Sequence, residues 1–203
     1  MASGGLSRRQ WLSGLGAASL GLFLLPPRAQ ALGGVLPEID QPAPPFDLAA
    51  VVPDARGQAV SSHRSLADFA GRWLVLYFYP RDFTSGCTLE ARGFQRDLAA
   101  FHRLGAEVAG ISADDGESHE SFCGSEGLAF PLLSDTDGSV SRRYGSWIAP
   151  YSLRHTFLID PQGTLRQVWT AVRPAGHSAE VLAALQQLQE SEALAANPIA
   201  AVR

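Results

Sequence analysis

The segment best equipped for chemistry is Tyr79-Pro80-Arg81-Asp82-Phe83-Thr84-Ser85-Gly86-Cys87-Thr88-Leu89-Glu90. From Cys87 onward, Ala91, Phe94, Leu98 and Phe101 recur at alternating spacings of four and three, the stripe of an amphipathic helix over 85–104. Cys87 therefore falls in the first turn, where backbone N–H groups lack helical partners and can donate to an anion. The helix dipole stabilises a thiolate at that end. Thr84 lies three residues before, close to the N-cap position, so its hydroxyl can reach the first turn or the sulfur. A thiolate ringed by donors is a nucleophile with somewhere to place charge. The same spacing also permits a plainer role, with Cys87 a small buried member of the apolar stripe. The only other cysteine is Cys123, in Ser121-Phe122-Cys123-Gly124.

Composition removes several other chemistries. All 16 basic residues are Arg, so Schiff-base lysines and the lysine of a phosphate-binding loop are excluded. Two cysteines cannot make a disulfide-dense scaffold or a four-cysteine zinc site. Histidines 63, 102, 119, 155 and 177 show no paired ligand spacing, and no metal or other cofactor is expected. Asp135-Thr136-Asp137-Gly138 resembles the start of a calcium loop but lacks the closing Glu, so it reads as a turn. Asp114 and Asp115 read as a strand end and the acidic start of a helix, and Glu90, one turn from Cys87, as a solvated, structural or catalytic carboxylate. The net charge of −4 gives no basic footprint for nucleic acid.

The elements that must hold Cys87 follow from periodicity. Residues 73–79 are a continuous apolar run stopped by Pro80, a strand buried on both faces. Residues 107–112 and 130–133 read as further buried strands, and 117–126 as a short helix stopped by Gly127. Residues 46–52 and 58–61 flank a turn, as do 156–159 and 165–172, so each pair reads as a hairpin. Residues 139–144 make a helical turn or two, and 179–195 a final helix. This order predicts an α/β domain over 46–203 with a mixed central sheet and helices on both sides, of which a thioredoxin-like fold is one solution. The proline-rich residues 32–45 read as an extended lead-in.

Residues 1–31 read as an address. Arg8 and Arg9 precede an apolar run from Trp11 to Leu25, closed by Pro26 and Pro27 and followed by Ala29-Gln30-Ala31. As a helix that run is about 22 Å long, short of the ~30 Å bilayer core. Ser7-Arg8-Arg9-Gln10-Trp11-Leu12 resembles a twin-arginine export motif with Trp in place of the more usual Phe; an ordinary secretory signal and an uncleaved anchor are the alternatives. Cleavage after Ala31 removes three arginines and no acid, leaving a charge of −7 and no stable membrane insertion. The destination is a periplasm or a thylakoid lumen. In such a compartment a permanent structural disulfide is the competing explanation for the two cysteines.

The run from Tyr77 to Ala91 closely resembles the peroxidatic-cysteine motif of peroxiredoxins, in particular the peroxiredoxin Q or bacterioferritin comigratory protein group. Pro80, Thr84 and Cys87 meet the pattern P-x-x-x-T-x-x-C. Gly110-Ile111-Ser112, Phe130 to Asp135 and Arg154 to Asp160 add matches in the same order. The resemblance implies a thioredoxin-like fold and a thiol peroxidase acting on hydrogen peroxide or alkyl hydroperoxides. It implies that Cys87 is the peroxidatic cysteine, that Thr84 hydrogen-bonds thiolate and peroxide, that Pro80 shields the site, and that Arg154 stabilises the thiolate and the breaking O–O bond. For Arg154 alone, a surface position on a strand is the plain alternative.

Two positions depart from the family. Ser85 stands where Pro is usual, and Arg92 stands where many members carry a resolving cysteine. A subgroup carries that cysteine on the following helix, which here implies Cys123 and an internal disulfide. Such a bridge needs Cα atoms within about 7 Å, so one or both helix ends must unwind; Gly124 and Gly127 weaken the short helix there. If Cys123 is a bystander, Cys87 works alone. The bridge implies reduction by a thioredoxin-like donor, and it needs no second subunit, consistent with a monomer. The competing readings are a thiol–disulfide oxidoreductase, for which the C-x-x-C pair is missing, and a non-catalytic module with a structural disulfide.

Overall fold

A computed structural model describes residues 30–54 and 56–196. The proposed export segment 1–31 lies outside the described residues except for Gln30–Ala31, which pairs with Gly34–Val35. No helix among the described residues is long and apolar enough to cross a membrane.

The core is one seven-stranded mixed sheet. Its strands are β1 (Asp47–Pro53), β2 (Ala59–Ser65), β3 (Trp73–Phe78), β4 (Ala106–Ser112), β5 (Leu132–Ser134), β6 (Thr156–Ile159) and β7 (Leu165–Trp169). Their spatial order is β7-β6-β3-β4-β5-β1-β2. Strands β3, β4 and β5 run parallel, and the other neighbours antiparallel. The helices are α1 (Ser85–Arg103), α2 (Gly116–Glu126), α3 (Ser139–Arg143) and α4 (His177–Ala196). This is the thioredoxin-like arrangement that the sequence pattern allowed.

Strand β3 is central, and every one of its side chains is buried. Trp73, Val75 and Tyr77 point to the face covered by α1, α2 and α4, where they meet Phe94, Phe101, Phe122 and Val181. Leu74, Leu76 and Phe78 point to the opposite face, under Val140, Tyr144 and Phe46. Burial of one such side chain is worth about 1.5–3 kcal/mol, which is why an unbroken apolar run marks a strand covered twice.

The two covers are unequal. Three helices lie on one face, whereas the other is closed by the five-residue α3, a 3₁₀ turn (Leu66–Phe69) and the lead-in. The lead-in is extended, but it is sewn to the β6–β7 turn: Ala43 N–H donates to the Gly163 carbonyl and Leu165 N–H to that of Gln41. Tyr144 Oη donates to the Pro44 carbonyl at 2.7 Å.

Several boundaries moved. The strand expected at 130–133 is Leu132–Ser134, because Pro131 has no N–H to give a ladder. The strand expected over 165–172 ends at Trp169, where Ala171 takes a left-handed φ of 50° and Val172 N–H turns to the Arg154 carbonyl. The second strand of the first hairpin runs on to Ser65. The Asp135–Gly138 segment is a turn: the Asp135 carboxylate accepts from the backbone N–H groups of Val140 and Ser141 and starts α3. Among the described residues no cluster of His, Cys, Asp and Glu could hold a metal.

Candidate active site

Cys87 sits at the third residue of α1, at the end of the loop that leaves β3. It is 1% exposed, as a small member of the apolar stripe would be. What makes the sulfur more than a hydrophobe is Arg154. Its Nη2 donates to Cys87 Sγ at 3.2 Å, and its Nη1 donates to Glu90 Oε2. Arg154 lies just before β6, the antiparallel neighbour of β3, so the sheet register carries it to the helix start. Gly86 leaves room for the approach, since a Cβ there would stand 3.1 Å from Nη2. Arg154 is thus not a surface strand residue; its side chain is 15% exposed.

Glu90, one turn beyond Cys87, is buried rather than solvated. Burial pushes its carboxyl up to about 7, against the opposing pull of the Arg154 guanidinium. Burial works against the Arg154 cation too, but the Glu90 and Cys87 charges outweigh it and hold the guanidinium above its ordinary value. The guanidinium therefore stays charged and presents one donor to the sulfur and another to the carboxylate.

Thr84 is the N-cap of α1, as expected, with an extended backbone. Its hydroxyl does not cap the helix or touch the sulfur: it donates to the Arg81 carbonyl at 3.0 Å. The reason is the tight loop, in which Phe83 adopts φ 60° and the Arg81 carbonyl is turned toward Thr84. Pro80 is half-buried at the start of this loop.

Cys123 lies on α2 and is also a buried free thiol. Burial first, and then the Asp82 carboxylate, push it up to about 12. Tyr77, in the core between the helices, has its hydroxyl raised by burial and then by the charges of Glu90, Cys123, Asp82 and Cys87. Helix α2 begins with Asp115 capping Ser118 N–H and ends at Gly127, which takes φ 60°. Its end is tied to α1 by Arg92 Nε donating to Glu126 Oε2 at 2.5 Å. Arg92, at the position of an absent cysteine, is thus a link between the two helices.

Sequence reasoning left Glu90 undecided and missed Asp82, Ser118 and His119, which form a buried polar cluster beside this site. The available signal was His119 standing one helical turn before Cys123 on a short helix with few apolar residues.

A thioredoxin-like fold with a cysteine at the start of its first long helix, held by a buried arginine, defines a thiol-active protein of that class. Residues 39–168 match the AhpC/TSA family. The chain is 39% identical over 157 residues to the peroxiredoxin Bcp of Xanthomonas campestris, spanning 73% of this chain and 94% of that one. It is 38% identical over 153 residues to a chloroplastic peroxiredoxin Q of Sedum lineare, spanning 72% and 76%. A solved structure of Xanthomonas campestris peroxiredoxin Q superposes with a TM-score of 0.63 at 37% identity, covering 70% of this chain and 90% of that one. That protein is also known as two cysteine-to-serine variants whose positions lie 36 residues apart, the separation of Cys87 and Cys123 here. The chain belongs to the AhpC/TSA family, among its Bcp and Q peroxiredoxins.

Proposed function

We propose that this chain is a thiol peroxidase in which Cys87 reduces hydroperoxides and Cys123 resolves the product. The observation that carries the reading is the Arg154 guanidinium set on Cys87 Sγ at the start of α1. The Cys87 thiolate attacks the terminal oxygen of hydrogen peroxide or an alkyl hydroperoxide. An S–O bond forms, the O–O bond breaks, and the leaving oxygen takes a proton to depart as water or alcohol. Arg154 stabilises both the thiolate and the charge on the leaving oxygen, in the manner of a pre-oriented anion site. Pro80 limits water at the site, and the Thr84 hydroxyl, close to the helix start, meets thiolate and peroxide once the loop adjusts. Cys123 then condenses with the Cys87 sulfenic acid. A thioredoxin-like dithiol reduces the bridge by exchange, the donor named in a mitochondrial thioredoxin-dependent peroxide reductase of Drosophila melanogaster that is 40% identical over 161 residues.

A buried Cys123 pushed up to about 12 is a poor nucleophile where it stands. Unwinding of α2 returns it to ordinary thiol acidity and brings it within reach. Because the bridge is internal, the working unit is a monomer. Residues 1–31 direct the folded chain out of the cytosol by the twin-arginine route, to a periplasm or a thylakoid lumen.

One equivalent of hydrogen peroxide on the reduced protein tests the chemistry, read by thiol count and intact mass. Loss of two thiols to a dithiothreitol-reducible internal bridge, with Cys123→Ser stopping at a sulfenic acid, supports it. Thiols left intact after minutes would sink the peroxidase reading. For the address, Arg8→Lys with Arg9→Lys in a fusion of residues 1–31 to a reporter should retain the reporter in the cytosol.

A further inference from the structure

The loop that carries Cys87 and the helix that carries Cys123 share a largely buried polar cluster that the peroxide chemistry does not use. Asp82 stands five residues before Cys87, and Ser118 and His119 stand five and four before Cys123. Tyr79 Oη donates to Asp82 Oδ1 at 2.8 Å, and Ser118 Oγ donates to Asp82 Oδ2 at 2.8 Å. His119 Nδ1 lies 2.8 Å from that same Oδ2, and the two side chains are 0% and 1% exposed. His119 Nε2 faces the Leu133 carbonyl at 3.3 Å, which can only accept, so this nitrogen carries a proton. Nδ1 and Oδ2 face each other at hydrogen-bond distance, so His119 joins α2 to the Cys87 loop through Asp82. The Asp82 N–H donates to Asp114 Oδ2 at 2.9 Å, at the entry to α2.

Phe83 adds a second tie. Its ring packs edge-on against Phe122, with centroids 5.1 Å apart, next to Cys123. To reach there, Phe83 holds a left-handed φ of 60°, which only a surrounding structure keeps in place. Loss of the contact releases that backbone, so loosening one segment loosens the other.

Resting on the reading that Cys123 resolves Cys87, we propose that Asp82 and His119 form a latch that sets the lifetime of the Cys87 sulfenic acid. Closed, it holds the loop folded around Cys87 and Cys123 within α2. Open, it frees both segments together. The Cys123 sulfur then attacks the Cys87 sulfenic sulfur; the S–S bond forms, the S–O bond breaks, and the oxygen leaves as water with the thiol proton. Asp82 and His119 touch no reacting atom and act as positioning residues.

The test is rapid mixing of the reduced full chain with hydrogen peroxide, with sulfenic acid trapped by dimedone and weighed as a function of time. Ser118→Ala removes one hydrogen bond to the latch and should shorten the sulfenic acid lifetime about 5-fold. His119→Asn breaks the buried pair and should shorten it by ~30-fold or more. The rate of the first oxidation should stay within about two-fold for Ser118→Ala, because the latch stays mostly closed when one of its bonds is lost. Val140→Ala, on the opposite face of the sheet, lowers general stability and should leave the lifetime unchanged. Unchanged lifetimes in both latch variants, or an equal shortening in Val140→Ala, overturn the latch while leaving Cys123 as the resolving residue. If the wild type forms no Cys87–Cys123 bridge, the reading of Cys123 fails first, and the latch falls with it.

Discussion

The two cysteines are equally hidden and oppositely prepared. At the start of α1, Cys87 meets a charged guanidinium donor and the open N–H end of a helix. In α2, Cys123 meets apolar packing and the nearby Asp82 carboxylate, and is pushed up to about 12. Both sulfurs are buried, and what differs is the neighbour: burial and then Asp82 raise Cys123, whereas a guanidinium donor stands on Cys87. The difference also divides the labour in time. Under the proposed mechanism, Cys87 acts from the folded state and Cys123 once its helix opens.

The bluntest way to break this comparison is to exchange the thiols' fates. Cys87→Ser should abolish peroxide consumption, whereas Cys123→Ser should keep the first turnover and lose sustained turnover with a thioredoxin donor. A variant at Cys123 that also lost the first step would make the two thiols equivalent and end the distinction.

Next in size is Arg154. Arg154→Ala removes the donor on the sulfur and should slow the first oxidation by about 10²–10³-fold, seen in single-turnover kinetics. Arg154→Lys should recover little of it, because one ammonium cannot reproduce the two-armed grip on Cys87 and Glu90.

Glu90 sharpens the comparison through pH. Its folded value of about 7 lies above the ordinary 4.5, so it binds its proton more tightly in the folded state. Its contribution to stability is therefore fully present below about 4.5 and is lost as pH rises through about 7. Denaturant titrations should show the wild type losing stability across that window more steeply than Glu90→Gln. An identical slope in the two proteins would remove Glu90 as the titrating group.

The smallest expected effect concerns α2. Gly124 is exposed, and a Cβ there meets nothing within 4 Å. Gly124→Ala should stiffen the helix by about 1 kcal/mol and slow disulfide formation roughly 5-fold, with the first oxidation untouched. In the wild type the bridging rate should rise with pH toward ~8.5, the range of a free thiol, rather than toward the value of the buried one.

Much of this was legible along the chain. The apolar run of β3, the stripe of α1 and the loop between them locate Cys87, because strand burial and helical periodicity are local signals. The four-three spacing even put Glu90 one turn away. What a chain cannot display is which distant residue arrives. Arg154 is 67 positions beyond Cys87, and β6 pairing antiparallel with β3 is what delivers it. Thr84 was rightly placed at the N-cap, yet its hydroxyl turned back to Arg81 because the left-handed Phe83 reshaped the loop.

The chain alone carried the elements, the placement of Cys87 at a helix start and the lack of any lysine. Each follows from residue type and short-range spacing. The tertiary structure alone decided which charges face each sulfur and joined Asp82 to His119 across 37 residues. The physical reason is that a pairing of buried charges depends on sheet register and helix docking, and those are settled by the whole core at once.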